Sequence, residues 1–186
     1  NRSVITFIGD PEAVSTAAFA AAKKAAELID MYAHKGVHPR IGATDVCPLI
    51  PLKNTSFEEC IKLAHKLGEK IGSELNIPVY LYEKAAKQEN RKNLADVRRG
   101  EFEILKNTIA NNPTKKPDFG PAKIGPAGAI ALGVREILIA YNVNLKNKDP
   151  KIAKAIAKKI REKNGGLPYL KALGLDLEKE GCTQVS

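Results

Sequence analysis

The sequence predicts an α+β domain in which a mixed β-sheet carries helices packed on one face. Three observations carry that expectation. Short β-branched or aromatic runs recur along the chain, at Val4–Ile8, Ile77–Tyr82 and Glu136–Leu145, each of strand length. Between them lie longer segments whose apolar residues return every three or four positions, as on a helix with one buried stripe. Two of these segments open on the same pair, Asp10-Pro11 and Asp149-Pro150, an N-cap followed by a proline suited to the first helical position. Interleaved strands and helices of this kind bury their apolar faces by layering helix on sheet.

The first helix is marked by Val14, Ala17, Ala18, Ala21, Ala25, Leu28, Ile29 and Tyr32, and Gly36 is its expected stop. Val46–Leu52 reads as a strand, with Pro48 and Pro51 restricting it to an edge or irregular position. Ser56 and Glu59 have capping-box spacing, and the helix they begin turns Phe57, Cys60, Ile61, Ala64, Leu67, Ile71 and Leu75 inward. Cys60 is thus expected as a small core residue rather than a nucleophile, and His65 as a solvated one. After Tyr82 the chain becomes polar, with short helices expected near Asn93–Arg99 and Glu101–Ala110. A last helix follows Asp149-Pro150, with Ile152, Ala153, Ile156, Ala157 and Ile160 inward and a basic outer face. Gly165-Gly166 ends it, and Leu170–Leu177 and Cys182–Ser186 read as strands.

At 186 residues, 44% hydrophobic and 27% charged, the chain suits one well-cored domain. No apolar run approaches bilayer length, so no membrane partner is expected. Cys47, Cys60 and Cys182 are widely spaced and form no metal-ligating pair, so no metal and a reducing, cytoplasmic setting are expected. The formal net charge of +9 favours acidic ligands. Aromatic residues are sparse and no paired stacking motif is present, which ranks nucleic acid last among them. The chain starts at Asn1 rather than methionine, as a piece of a longer chain or a processed product would.

Two stretches stand apart. The first is His34-Lys35-Gly36-Val37-His38-Pro39-Arg40-Ile41-Gly42-Ala43-Thr44-Asp45-Val46-Cys47-Pro48. Pro39 pushes His38 out of the helical region, and residues two apart on an extended run share a face, so His38 and Arg40 are expected together. An imidazole moves protons near neutral pH, and a guanidinium holds a carboxylate through two hydrogen bonds. The pair therefore suits an acidic substrate. The second stretch, Pro117–Ala129, alternates prolines and glycines with small residues. It excludes regular structure and permits close backbone approach to a ligand, or it is a mere linker.

The run from His34 to Pro51 resembles the signature of glutamate formiminotransferases, which occur alone or as the N-terminal part of formiminotransferase-cyclodeaminase. Arg98, Arg99 and the segment Gly100-Glu101-Phe102-Glu103 are similar to that family as well. The segment opening Asp118-Phe119-Gly120-Pro121 resembles its folate-contacting loop, although here the loop is one residue shorter and Ile130 stands where the family carries threonine. The resemblance implies a ferredoxin-like N-terminal subdomain over residues 1–182, with 183–186 beginning a second subdomain, and folate bound between the two. It implies transfer of the formimino group from N-formimino-L-glutamate to tetrahydrofolate as co-substrate, in histidine degradation and one-carbon metabolism.

The family's catalytic histidine falls on His38. Asp45 either orients that imidazole or caps a turn, and His34 either joins the chemistry or satisfies carbonyls at a helix end. Lys35 and Arg40 are candidates for substrate carboxylates. Asp118, Gly120, Pro121, Ala122, Lys123, Ile124, Gly125, Pro126, Ala127 and Gly128 form the expected binding loop. Asn142 and Asn144 share one strand face and either border the ligand or are solvated at a sheet edge. A homo-oligomer is expected. Formyl transfer from N-formylglutamate, or folate binding without turnover, are the alternatives.

Overall fold

A computed structural model describes residues 2–186, which divide into two compact units. One unit comprises residues 2–35 and 39–137. Its elements are α1 (Pro11–Leu28), β1 (Asp45–Leu49), α2 (Phe57–Glu74), β2 (Val79–Glu83), α3 (Leu94–Val97), α4 (Glu101–Thr108) and β3 (Ile130–Val134). Pro11 occupies the first turn of α1, while the Asp10 side chain makes no cap bond. The capping box of α2 is complete: Ser56 Oγ accepts from the Glu59 N–H at 3.2 Å, and the Glu59 carboxylate accepts from the Ser56 N–H at 2.7 Å.

The three strands form a parallel sheet in the order β1-β3-β2, with Asp45 and Val79 both in register with Ile130. Every residue of β3, and Val79 through Tyr82 of β2, is buried. Unbroken apolar runs of this kind belong to strands covered on both faces. One face packs Val79, Leu81, Ile130, Leu132 and Val134 against Ala18 and Ala22 of α1 and Cys60, Leu63, Ala64, Leu67 and Ile71 of α2. The other packs Tyr80, Tyr82 and Ala131 against Val97 of α3 and Phe102 and Leu105 of α4. Helices thus cover both faces of this sheet, which corrects the expectation of one.

The second unit comprises residues 36–38 and 138–186. It contains β4 (Val143–Leu145), α5 (Pro150–Ile160), β5 (Gly174–Leu177) and β6 (Cys182–Val185). Here the strands are antiparallel in the order β4-β6-β5, with Val143 opposite Val185 and Leu177 opposite Cys182. α5 is capped by the Asp149 carboxylate, which accepts from the Lys151 N–H at 2.9 Å. It buries Ala153 and Ala157 with Ala172 and Val185. Ile152 and Ile156 are more than a third exposed, so the inward stripe is narrower than the spacing predicts. Gly174 of β5 lies so close to α5 that a Cβ would come within 2.4 Å of Ala153. The alanines, rather than the isoleucines, permit that approach.

The α+β class therefore holds, with two three-stranded sheets, one parallel and one antiparallel, in place of one mixed sheet. Several strand expectations are shortened or lost: Val46–Leu52 pairs as Asp45–Leu49 and Leu170–Leu177 as Gly174–Leu177. Val4–Ile8 has no regular structure and Val4 is 86% exposed, while only Val143–Leu145 of the Glu136–Leu145 run pairs. Strand propensity expresses the fit of a side chain to a paired, half-buried surface, and no described strand pairs with Val4–Ile8. Among the described residues no helix is long and apolar enough to cross a membrane.

The Tyr82 ring lies over Gly133, where an added Cβ would meet it at 2.3 Å. Gly133→Ala is expected to cost about 1–3 kcal/mol in urea unfolding, with part of the loss recovered by adding Tyr82→Leu. A neutral Gly133→Ala would contradict this packing.

Candidate functional site

The two unusual stretches meet at the N-terminal edge of the parallel sheet. The Ala129 N–H donates to the Ile41 carbonyl and the Ala43 N–H to the Ala127 carbonyl, both at 2.9 Å, with Gly42 and Gly128 paired between them. The Met31 N–H adds a bond to the Pro126 carbonyl at 2.8 Å, and Tyr32 Oη one to Ile124. A Cβ on Gly42 would fall 2.0 Å from the Ala129 oxygen, and Gly128 has φ +71°. Glycine is required at both positions, at the first for closeness and at the second for conformation. Gly125 and Gly128 close a turn that exposes Pro126.

Asp45 begins β1 with φ +54°, a conformation aspartate tolerates better than most residues. One carboxylate oxygen accepts from the Ile41 N–H at 2.8 Å and the other from Arg98. Burial pushes this carboxyl up from its ordinary value, and Arg98 opposes the shift. Asp45 therefore braces the turn that precedes β1. Cys47, on the same strand, has its thiol pushed up to about 11 by burial, which leaves little thiolate at neutral pH.

Arg40 is 8% exposed. Its five N–H donors all end on protein acceptors: His34 Nδ1 at 3.4 Å and the His34 carbonyl at 3.1 Å, Glu101 at 3.0 Å, and both oxygens of Glu103 at 2.9 and 2.6 Å. The Arg40 carbonyl accepts the Phe102 N–H at 2.9 Å. These five are all the donors a guanidinium carries. Arg40 docks the N-terminal turn of α4 onto the first stretch. His34 is held at both ring and backbone by the same side chain.

Along the second stretch, Asp118 has a side chain only 3% exposed and accepts from Arg91 at 2.6 Å and the Leu81 N–H at 2.8 Å. Gly120, with φ +78°, passes against Ile77 and Gly72. Pro121 is half-buried, Ala122 and Lys123 are exposed, and Ile124 is buried in the core. Lys35 is exposed. His38, 9% exposed, falls in the second unit. That unit also carries Asn142 and Asn144, both exposed, with Asn144 Oδ1 accepting from Gln184 Nε2 at 2.8 Å.

Sequence reasoning attached no role to Arg91, Arg98, Glu101 or Glu103. The last three stand in a segment that the resemblance singles out, and the acid–aromatic–acid alternation after Gly100 is the signal for the two glutamates. Arg91 gave none.

Residues 1–135 match the family model described as formiminotransferase domain, N-terminal subdomain. The chain belongs to this formiminotransferase family. A Thermoplasma acidophilum protein named glutamate formimidoyltransferase is 50% identical over all of this chain and 62% of its own length. A Streptococcus pyogenes protein of the same name is 46% identical over the same shares. Chicken formimidoyltransferase-cyclodeaminase is 47% identical across the whole chain and 35% of its own length. The chain thus spans 62% of the length of these two proteins named glutamate formimidoyltransferase.

The hydrogen bond from Arg40 holds the Glu103 carboxyl below its ordinary 4.5. A depressed carboxyl contributes stability above its unfolded value and loses it as pH falls through the folded one. Arg40→Gln is expected to cost about 1–3 kcal/mol at neutral pH. It is also expected to flatten the pH dependence of urea unfolding below 4.5. Equal acid slopes for both proteins would refute the pairing.

Proposed function

We propose that the chain is the N-terminal part of a glutamate formiminotransferase, acting on N-formimino-L-glutamate and tetrahydrofolate in histidine degradation and one-carbon metabolism. The observation that carries this reading is the hydrogen bonding of residues 41–43 to residues 127–129. It joins the two stretches whose residues most resemble the family's reactive and folate-contacting segments. The names of relatives matching the whole chain at 46–50% identity support the same reading.

In the transfer, N5 of tetrahydrofolate attacks the amidine carbon and loses its proton. The bond from that carbon to the glutamate nitrogen then breaks, and the departing nitrogen gains a proton. One histidine serves both steps, first as base and then as acid, and that role falls to His38. Lys35 and Lys123, both exposed cations, are assigned to substrate carboxylates. The backbone of Gly120 to Gly128 provides the folate wall, anchored by Asp118. Asn142 and Asn144 offer amide hydrogen bonds to the ligands. Asp45 and Arg40 shape the loop rather than touch the reacting atoms. Residues 1–182 correspond to the first subdomain and 183–186 to the start of a second. The protein functions in the cytoplasm as a homo-oligomer.

The test compares the intact protein with His38→Ala in formimino transfer to tetrahydrofolate. The expected result is turnover in the parent and a loss of about 10²–10⁴ in kcat, with folding unchanged by circular dichroism. A preference for N-formylglutamate would reassign the donor. Folate binding without turnover would make the protein a binding module, and the absence of both binding and turnover would overturn the reading.

A further inference from the structure

The 117–128 stretch begins along the outer edge of the parallel sheet. β2 is the outer strand of the β1-β3-β2 sheet, and its free backbone groups need partners. The Val79 N–H donates to the Phe119 carbonyl and the Asp118 N–H to the Val79 carbonyl, each at 2.9 Å. At Leu81 the partner is no longer backbone, because the Leu81 N–H donates to the Asp118 carboxylate at 2.8 Å. That carboxylate is therefore carried into the interior, where an unpaired charge is costly.

Arg91 supplies the opposite charge. Its side chain is 4% exposed and donates to Asp118 at 2.6 Å, to the Lys116 carbonyl at 2.5 Å and to the Thr114 carbonyl at 3.5 Å. The guanidinium also lies 5.0 Å from the centre of the Tyr80 ring, and Tyr80 Oη donates to the Lys115 carbonyl at 2.6 Å. One buried cation thus grips residues 114, 116 and 118. The other end of the stretch is fixed by the Ile41–Ala43 bonds to Ala127 and Ala129. Ala122 and Lys123, both exposed, are strung between the two anchors.

We infer that Arg91 is a positioning residue for the ligand loop: it sets the affinity of residues 117–128 for the pterin co-substrate without contacting it. The inference rests on the reading of this stretch as the folate wall. It separates Arg91 from His38, since an anchor of a binding wall governs substrate affinity while a proton carrier governs the chemical step. Lysine does not replace Arg91, because a single ammonium lacks the planar fork that reaches a carboxylate and a carbonyl together.

The test measures kcat and both KM values for the intact protein and Arg91→Lys, together with amide hydrogen exchange. The expected result is a KM for tetrahydrofolate raised about tenfold or more. With it should come kcat within about threefold, an unchanged KM for formiminoglutamate, and faster exchange confined to residues 114–128. A tetrahydrofolate KM equal to the parent's, or a loss confined to kcat, would overturn the inference. If Arg91→Lys loosens the whole chain, the neutral pair Arg91→Gln with Asp118→Asn takes its place. There, loop exchange and tetrahydrofolate KM moving together support the inference, and moving separately overturn it. A parent without tetrahydrofolate binding would overturn the functional reading and this inference with it. A parent that turns over beside an unaffected Arg91→Lys would overturn this inference alone.

Discussion

Charge neutralisation at low solvent exposure is the constraint on which the N-terminal edge of the parallel sheet depends. Arg40, Arg91, Asp45 and Asp118 all have side chains at most one-fifth exposed. Each lies at or beside the point where a loop enters the sheet. A charge in such a place is tolerated only when an opposite charge and further hydrogen bonds satisfy it. Arg40 answers Glu101 and Glu103, Arg98 answers Asp45, and Arg91 answers Asp118. Removing one member of a pair leaves the other stranded, so these contacts hold the loops in one arrangement more than they add net stability.

The division of labour around the sheet follows. The apolar rows of β2 and β3 are covered from both sides, by α1 and α2 on one face and α3 and α4 on the other. That leaves the strand ends and the outer edge of β2 as places where backbone polar groups meet irregular chain. Glycines allow the two loops to approach within hydrogen-bonding distance there, and buried ion pairs fix their ends. Rigid scaffolding beneath accessible loop residues is the usual setting for a binding wall.

This arrangement also sorts the polar residues by task. Arg40 has all five donors on protein acceptors, and one Asp118 oxygen takes both the Arg91 and the Leu81 bonds, so both are framework. Others, such as Lys35, Lys123 and Asn142, stay exposed. In sequence the two groups look alike, since an arginine's burial and the acceptors of its five donors are set by residues far along the chain.

The sequence by itself determined the five main helical segments, the α2 capping box, the edges of the two unusual stretches and the family. These depend on residues close together in the chain: caps three apart, stripes three or four apart, and a continuous motif from His34 to Pro51. Only the tertiary structure decided that helices cover both faces of the parallel sheet, that Val4–Ile8 lies outside it, and that Arg40, Asp45 and Asp118 are braced. The partners involved lie 61, 53 and 27 residues away. No local pattern reports such pairings, because they exist only once burial has removed the water that would otherwise satisfy each charge alone.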